Sequence, residues 1–354
     1  MNARQVLAIV FAALVVAGAA AIAPRFADAG VLRLCAEILL AICMAQMWNL
    51  LAGYTGLLSL GHQIFVGIGA YTLFEASQRL SVPPYWMLPL AGLAGAVAAA
   101  LMAPALFRLR DAHFSIGLWV FSEIVCLVVS KTKALGSTAG RPLDLSNVAD
   151  PESFQAIAFW IACATGIGAL VGVYTLMRSR LGLALMTVRD NELAARSVGV
   201  DVWRVRFPAF IVSGFGCAFA GAAYYMGAMF VSPDSAFDVN WVVMMMFATL
   251  IGGVGSIEGP VIGVLIWFAL RELLATWLGL PGGWYLIGMG AVAMVVSVLA
   301  PRGLWGLAQS RWGWRGLSVR RVPLTAATFR HRGGIEDSQA PRAARSVADG
   351  SSPN

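Results

Sequence analysis

Long apolar runs alternate with short polar segments over most of the chain. Most runs hold about 20 residues, which is enough for an α-helix to cross the hydrocarbon core of a bilayer. The pattern predicts an all-α fold, a polytopic helical bundle of about ten transmembrane helices. The apolar runs are 6–23, 34–52, 61–78, 86–106, 114–130, 154–177, 207–229, 241–253, 259–275 and 284–300.

The composition supports a membrane class. The chain is 59% hydrophobic and 12% charged, whereas soluble domains carry about 25% charged residues. The net charge of +7 comes largely from arginines in loops and in the tail, so it bears on orientation and indicates no nucleic-acid partner. The five cysteines include no CxxC pair, which argues against a disulfide framework or a zinc site.

Arginine positions predict the orientation. The first run, 6–23, ends in a sequence that imitates a signal-peptidase site, but its length favours a retained helix. With both termini cytoplasmic in a bacterial inner membrane, the six arginines of segment 178–206 fall inside. We therefore expect a transmembrane domain over 1–303 and a largely disordered, Arg-rich cytoplasmic tail over 304–354.

Segment 178–206 is polar and basic, although it lies between two long apolar runs. Its centre predicts a short helix, because Asp190 can cap the start and Gly199 can close the end in a left-handed conformation. Glu192 and Arg196 stand four residues apart, in the favourable order for a surface ion pair.

Two interpretations of this segment remain open. It is either a docking helix for a second protein, with Ala194 and Ala195 as a low and approachable surface, or a solvated loop between two membrane helices. The residues assigned to docking are Arg189, Asp190, Glu192, Ala194, Ala195 and Gly199.

Two glycine-rich stretches interrupt the apolar pattern. In 49–71 we expect a broken or tightly packed helix junction, which membranes tolerate where the backbone lines a cavity or is buried. In 251–263, glycines and Pro260 separate two shorter runs with a turn between them. Simple helix packing is the alternative for the glycines of 49–71. The residues assigned to a translocation path or helix junction are Gly53, Tyr54, Gly56, Ser59, Gly61, His62, Glu123, Gly253, Gly255 and Gly259.

Ionisable residues inside the apolar runs are few. Glu123 lies near the middle of the fifth run, where a carboxylate is either a functional group or a protonated structural one. His62 begins the third run, and a hydrogen-bonded packing role is favoured over proton transfer.

Motifs for ATP binding and covalent catalysis are missing from the sequence. Lys131 and Lys133 are the only lysines, and neither follows the glycine-rich turn of a P-loop. The chain has no HExxH or GxSxG motif and only three scattered histidines. We therefore expect no catalytic residues, no metal site and no cofactor on this chain.

Three segments together resemble the permeases of branched-chain amino acid ABC importers, the LivM and LivH type, and lean towards LivM. They read GYTGLLSLGHQIFVGIGAY from Gly53, RLGLALMTVRDNELAARSVGVDV from Arg180, and GGVGSIEGPVIG from Gly252. The second is similar to the family's cytoplasmic coupling loop, although Leu193 is inserted into its Glu-Ala-Ala pattern. The resemblance covers most of residues 34–300.

The resemblance implies a transport subunit that performs no covalent chemistry. It implies one half of a two-permease pore with a LivH-like second permease. Two cytoplasmic ATPase subunits would bind ATP and Mg²⁺, and an extracytoplasmic binding protein would deliver the substrate.

The resemblance makes leucine, isoleucine and valine the default substrates, with urea, short amides or another small polar solute as alternatives. A proton-coupled secondary transporter that uses Glu123 or His62 is the competing class, and a membrane-embedded enzyme is a third. The docking segment and the lack of paired carboxylates argue against the secondary transporter.

Overall fold

The structure, a computed structural model, describes residues 28–109, 112–146, 151–274, 279, 283–300 and 303–312. This part of the chain is mainly helical, as predicted. In chain order the α-helices are α1 (Ala29–Thr55), α2 (Gln63–Leu80), α3 (Leu88–Leu106), α4 (Ala112–Lys131), α5 (Pro151–Arg178), α6 (Arg180–Asp190), α7 (Glu192–Ser197), α8 (Val202–Ala228), α9 (Pro233–Ala236), α10 (Asn240–Gly252), α11 (Glu258–Glu272), α12 (Trp284–Leu299) and α13 (Gly303–Trp312).

Two short strands join distant loops. β1 (Arg141–Pro142) pairs antiparallel with β2 (Phe230–Val231), and Arg141 lies opposite Val231. The Arg141 guanidinium also donates to Glu75 of α2 over 2.7 Å. The loop after α4 is therefore fixed to the ends of α2 and α8.

Seven stretches of the described chain are long and apolar enough to cross a membrane, whereas the sequence predicted about ten spans. The seven are Ala29–Thr55, Pro84–Leu106, Ala112–Lys131, Ser153–Arg178, Val202–Ala228, Pro233–Gly252 and Leu286–Gln309. The predicted span 6–23 and most of the predicted tail lie outside the described residues.

Two of the predicted spans correspond to helices that are not among these seven. The helix α2 carries Gln63, Glu75 and Arg79, which lower its mean hydropathy. The helix α11 has 15 residues, and at about 1.5 Å per residue it is shorter than the bilayer core of about 30 Å. The prediction of ten spans is therefore not confirmed, although the helices themselves lie where the apolar runs place them.

The helix α8 packs against α1, α2 and α3 in the centre of the bundle. Small residues make these contacts close. A Cβ on Gly95 would lie 2.6 Å from the carbonyl oxygen of Gly214, and a Cβ on Gly221 would lie 2.7 Å from the Cα of Val66. Backbone approach of this kind is typical of helix pairs in membranes, where small residues replace bulky ones at the contact.

Candidate functional site

The two glycine-rich stretches, separated by about two hundred residues of sequence, pack directly against each other. The Asn49 side chain is fully buried and bonds twice to the turn after α10. Its amide donates to the Ser256 carbonyl over 2.8 Å, and its oxygen accepts from the Gly255 N–H over 2.9 Å. One turn earlier, Gln46 donates to the Ile257 carbonyl. We call Asn49, Gly53 and residues 253–257 the glycine junction.

The backbones in the glycine junction leave no space for side chains. A Cβ on Gly53 would lie 2.7 Å from the Gly255 nitrogen. Gly253 and Gly255 have φ values of 132° and 73°, a region that favours glycine. Gly259 packs equally closely against the end of α10, where a Cβ would lie 3.0 Å from the Gly252 carbonyl carbon. The turn predicted between the two shorter runs of 251–263 is therefore present, and its backbone packs tightly against α1.

The helix break expected in the first stretch lies at Gly56, and Gly53 is part of the tightly packed helix before it. The helix α1 continues through Gly53 and the buried Tyr54, and it ends at Gly56, where φ is 77°. The Gly56 N–H bonds back to Leu51, as in a left-handed helix closure. An irregular loop then runs to α2, and the Trp48 indole N–H holds it by donating to the Ser59 carbonyl over 2.9 Å.

His62 is fully buried and both ring nitrogens have partners. One nitrogen lies 2.6 Å from the Ser59 hydroxyl, and the other lies 2.7 Å from the Ser213 hydroxyl of α8. Ser213 in turn donates to the Met47 carbonyl of α1. The imidazole thus joins α1, the irregular loop and α8, which agrees with the packing role favoured from the sequence.

Gly61 brings the same loop against α4. The ideal Cβ position on Gly61 overlaps the backbone at Leu118, so only glycine fits there without displacement. The Ser115 hydroxyl, one turn earlier on α4, donates to the Leu58 carbonyl over 2.6 Å. The loop 56–62 is therefore fixed to α1, α4 and α8 by hydrogen bonds and by backbone contact.

The polar segment 178–206 forms two helices, α6 and α7, where the sequence predicted one. The prediction that Asp190 caps the short helix is wrong by one residue. Asp190 is the last residue of α6, and Asn191 is the cap of α7, with its side chain accepting from the Ala194 N–H over 3.0 Å. Asn191 takes the cap because its backbone is extended. Gly199 has a φ of 86°, the left-handed conformation predicted for it.

Ala195 is fully buried, which contradicts its predicted place on a docking surface. It packs with Val188 of α6 and Val202 of α8 in a small apolar cluster that holds α7 against its neighbours. Leu193 and Val198 are instead 79% and 74% exposed. The exposed apolar surface at α7 is therefore formed by Leu193 in the helix and Val198 directly after it, two residues that were not predicted to dock.

Glu192 makes two ion pairs, one within α7 and one to α8. It accepts from Arg196 over 2.6 Å, as predicted, and from Arg206 over 2.9 Å, a longer-range contact that the sequence did not reveal. The Arg206 side chain is only 16% exposed, so this second pair is shielded from solvent. Together with the Ala195 cluster, this second pair fixes α7 to the helical bundle.

Arg189 projects from α6 into the glycine junction. Its guanidinium donates to the Gly53 carbonyl over 2.7 Å and also pairs with the neighbouring Asp190. Two sets of residues that the sequence assigned to different tasks, docking and helix junction, are thus joined by one side chain.

A groove of about 850 Å³ lies between the polar segment and the loop from α3 to α4. Leu58 and Leu60 of the irregular loop line it together with Leu193, Arg196 and other residues of the segment. Leu58 is 57% exposed, although the loop 56–62 that carries it is tightly fixed. The exposed surface of the polar segment therefore continues to the edge of the glycine junction.

Glu123 lies apart from the glycine junction, on the exposed face of α4. Its carboxylate accepts from the Trp119 indole N–H over 3.1 Å. Its neighbours on this face are apolar and exposed, among them Ile124 and Leu127. A carboxylate in the middle of an apolar helix is costly in lipid, so this face does not resemble a simple lipid contact.

Asn49, Gln46 and Ser256 are the main junction residues that the sequence did not single out. Gln46 and Asn49 are polar, stand three apart in an apolar run and thus share one helix face. That spacing could have identified them as partners for another buried segment, but no local pattern could have named the segment.

The chain is similar to known permeases over most of its length. The family model described as the permease component of the branched-chain amino acid transport system matches residues 30–297. The LivM permease of the high-affinity branched-chain amino acid transport system from Escherichia coli K12 is 26% identical over 79% of this chain and 71% of its own length. No solved structure is significantly similar to the chain.

Two further relatives define the range of the similarity. LivM from Salmonella typhimurium LT2 is 27% identical over 72% of this chain, which covers 65% of that relative. The L-arabinose ABC transporter permease AraH from Azospirillum brasilense is 23% identical over 72% of this chain and 75% of its own length. With the family model matched across its helical core, the chain belongs to the family of branched-chain amino acid transport system permease components, multi-pass membrane proteins of ABC transporters.

Proposed function

We propose that the chain forms part of the membrane path of an ABC importer for branched-chain amino acids. Separate ATPase subunits would bind ATP and Mg²⁺, and they would dock on the polar segment at the cytoplasmic face. The observation that carries the proposal is the exposed apolar pair Leu193 and Val198 on a helix anchored by Ala195 and Glu192. A rigidly held apolar surface in a polar segment is suited to a protein partner.

Orientation and membrane follow from the same assignment. If ATPases dock on the polar segment, that segment and the glycine junction beside it face the cytoplasm of the cell, and the loop with β1 and β2 faces outwards. The basic character of segment 178–206 supports this orientation, because arginine is enriched in cytoplasmic loops. The chain would then lie in a bacterial inner membrane.

A second permease would pair with this chain, and the exposed face of α4 bears on where the path and the contact lie. The exposed face of α4 carries Glu123, and a carboxylate on a membrane helix normally faces a bundle interior or a water-filled cavity. We therefore assign this face to the translocation path or to the contact with the second permease. A binding protein would deliver the substrate at the outer face.

The substrate assignment rests on the relatives. Both LivM relatives are named as permeases for branched-chain amino acids, which favours leucine, isoleucine and valine. A sugar is the second candidate, because AraH is named as an L-arabinose permease. Urea and short amides fit an almost uncharged path as well, but none of the relatives described above carries such a name.

A proton-coupled secondary transporter is the weaker alternative. His62 would have to exchange protons with water, but it is fully buried between two hydroxyl partners. The described apolar helices also carry no pair of facing carboxylates that would suit a proton relay. Glu123 alone remains as a carrier for that mechanism.

Uptake by the purified chain in vesicles tests the class. The chain alone should accumulate no labelled leucine under either a proton gradient or internal ATP. Vesicles with the second permease, the ATPases and the binding protein from the same transport system should accumulate leucine in an ATP-dependent manner. Proton-driven uptake by the isolated chain would refute the importer assignment. ATP-driven uptake of L-arabinose but not of leucine would show that the substrate is a sugar.

A further inference from the structure

Arg189 lies between the two parts of the molecule that the proposed function separates, the ATPase-facing segment and the membrane-embedded backbone. It is the second-last residue of α6, and its Nη1 atom lies 2.7 Å from the Gly53 carbonyl oxygen, 136 residues earlier in the chain. The side chain is 37% exposed, so it extends from the surface into the bundle.

The Gly53 carbonyl is a strong acceptor because of its position in α1. It belongs to the last four residues of that helix, whose carbonyls have no partner within the helix. The N–H groups of Gly56 and Leu57 both turn back to Leu51 and not to Gly53. A guanidinium at this end also meets the negative pole of the helix dipole, and a charged donor makes the hydrogen bond stronger than a neutral one would.

The same guanidinium contacts the other half of the glycine junction. A Cβ on Gly255 would lie 2.8 Å from Arg189 Nη1 and 3.0 Å from the Gly53 carbonyl oxygen. On the other side of the loop, a Cβ on Gly56 would lie 3.4 Å from the Arg189 Cγ. The backbone at Gly53, at Gly56 and at Gly255 therefore packs closely around the Arg189 side chain. A displacement of one of these segments is passed to the others, because close-packed atoms transmit strain.

The base of Arg189 is fixed as firmly as its tip. Val188, the preceding residue, is buried against Ala195 of α7 and Val202 of α8. A push on α7 therefore moves the end of α6 with it. From that point the motion reaches the carbonyl end of α1 through a single charged hydrogen bond.

We propose that Arg189 is the positioning residue that transmits displacement of α6 and α7 to the glycine junction. The proposal rests on the proposed function, in which ATPases act on this segment. Arg189 holds the carbonyl end of α1 and the 253–257 turn at a fixed distance from the docking surface. Closure of the ATPases would therefore move the docking surface and the glycine junction together. Docking itself would not require Arg189, because the described contacts of its guanidinium are with the Gly53 carbonyl and with Asp190.

The central experiment compares Arg189→Gln with Arg204→Gln in the complete importer. Arg204 is a matched control, because it lies in the same segment but is 84% exposed and pairs only locally with Asp201 in the described contacts. Both variants should still co-purify with the ATPases, and transport is expressed per ATP hydrolysed in the same vesicles. Arg189→Gln should transport at least about fivefold less substrate per ATP, since typical coupling energies start near fivefold, whereas Arg204→Gln should transport normally.

Each alternative result has a defined meaning. Wild-type transport per ATP in Arg189→Gln would overturn the proposal. Loss of ATPase co-purification in parallel with transport would also overturn it, because Arg189 would then be a docking residue. If the wild-type complex itself shows no ATP-driven uptake, the proposed function fails, and that failure is seen before any variant is scored.

A distance measurement keeps the proposal testable even if Arg189→Gln does not insert. Spin labels at Leu183→Cys on α6 and Leu60→Cys, both exposed positions outside the proposed docking surface, report the separation of α6 from the loop beside the junction. The five native cysteines are replaced by alanine for this purpose. With Arg189 present, the separation should stay constant between nucleotide-free and ATP-trapped complexes. A clear change in that distance would show that the two parts move independently and would overturn the proposal.

Discussion

Gly53 and Gly255 occupy positions where backbone atoms fill the space that a side chain would need. Gly53 is inside a regular helix, so its requirement is purely spatial, whereas Gly255 also needs a positive φ. The sequence predicted a broken or tightly packed junction around Gly53 and a turn around Gly255, but it could not show that the two glycines pack against each other. This contact depends on which backbone lies opposite each glycine, and that is set by tertiary structure.

Gly53→Ala should destabilise the permease, because its methyl group would meet the Gly255 nitrogen at 2.7 Å and backbone cannot move aside cheaply. We expect a loss of about 1–3 kcal/mol, which is typical of overpacking. Gly168→Ala is the control, since a Cβ there meets nothing within 4 Å in the middle of α5. Thermal unfolding of the purified complex in detergent measures both, and equal midpoints for the two variants would contradict the close approach.

The polar segment 178–206 shows which features of a helix can be predicted from neighbouring residues and which cannot. The left-handed Gly199 and the pair between Glu192 and Arg196 follow from neighbours in sequence, and both were predicted correctly. The cap was misplaced by one residue, since Asp190 and Asn191 are both good caps and only the backbone decides between them. Ala195 was assigned to the surface because the sequence could not reveal that α6 and α8 cover it.

Leu193→Ser should weaken ATPase docking without weakening the fold. Leu193 is 79% exposed in the isolated chain, so its loss removes little internal packing. Burying a leucine in an interface stabilises it by about 1.5–3 kcal/mol, so the affinity for the ATPases should fall by about tenfold or more. Leu183→Ser is the control, because Leu183 is also exposed, at 49%, but lies on α6.

Co-purification at rising salt and detergent concentrations measures the docking of Leu193→Ser, and an unchanged unfolding midpoint confirms its fold. Retention equal to that of Leu183→Ser would remove α7 from the docking surface. Ala195→Trp is not a clean test of docking, because the bulky ring would first disrupt the cluster with Val188 and Val202.

For the molecule as a whole, periodicity and composition established the class and most helix positions, but long-range partners came only from the structure. The apolar run that forms α1 resembles the other runs in composition. Its Asn49 nevertheless bonds to one particular turn, at Gly255, 206 residues later in the chain. The count of about ten spans is not confirmed, because apolar length alone does not reveal whether a helix crosses a membrane or packs inside a bundle. The role of the exposed face of α4 likewise depends on the subunits that surround it in the transporter complex.

Glu123→Cys should be modified by a membrane-impermeant thiol reagent in the assembled importer, if α4 faces water in the path. The control is Leu101→Cys on α3, which is 76% exposed without a nearby charge and should face lipid. Both variants are made in the background without native cysteines, and the labelled fraction is measured by mass spectrometry. Protection of position 123 together with a cross-link to the second permease would place α4 in a dry subunit contact, and labelling equal to that of position 101 would make it a lipid face.

The hydrogen bond between Asn49 and Gly255 cannot form until both residues have been synthesised. A ribosome adds about 5–20 residues per second, so the 206 residues between them take about 10–40 s to emerge. During that interval the amides of Gln46 and Asn49 have entered the membrane before the carbonyls that will bind them exist. An unpaired amide in hydrocarbon is costly, so the nascent α1 must be sheltered by the insertion machinery. Photo-crosslinking from position 49 in ribosome-stalled chains should capture that machinery before residue 257 is made and lose it afterwards.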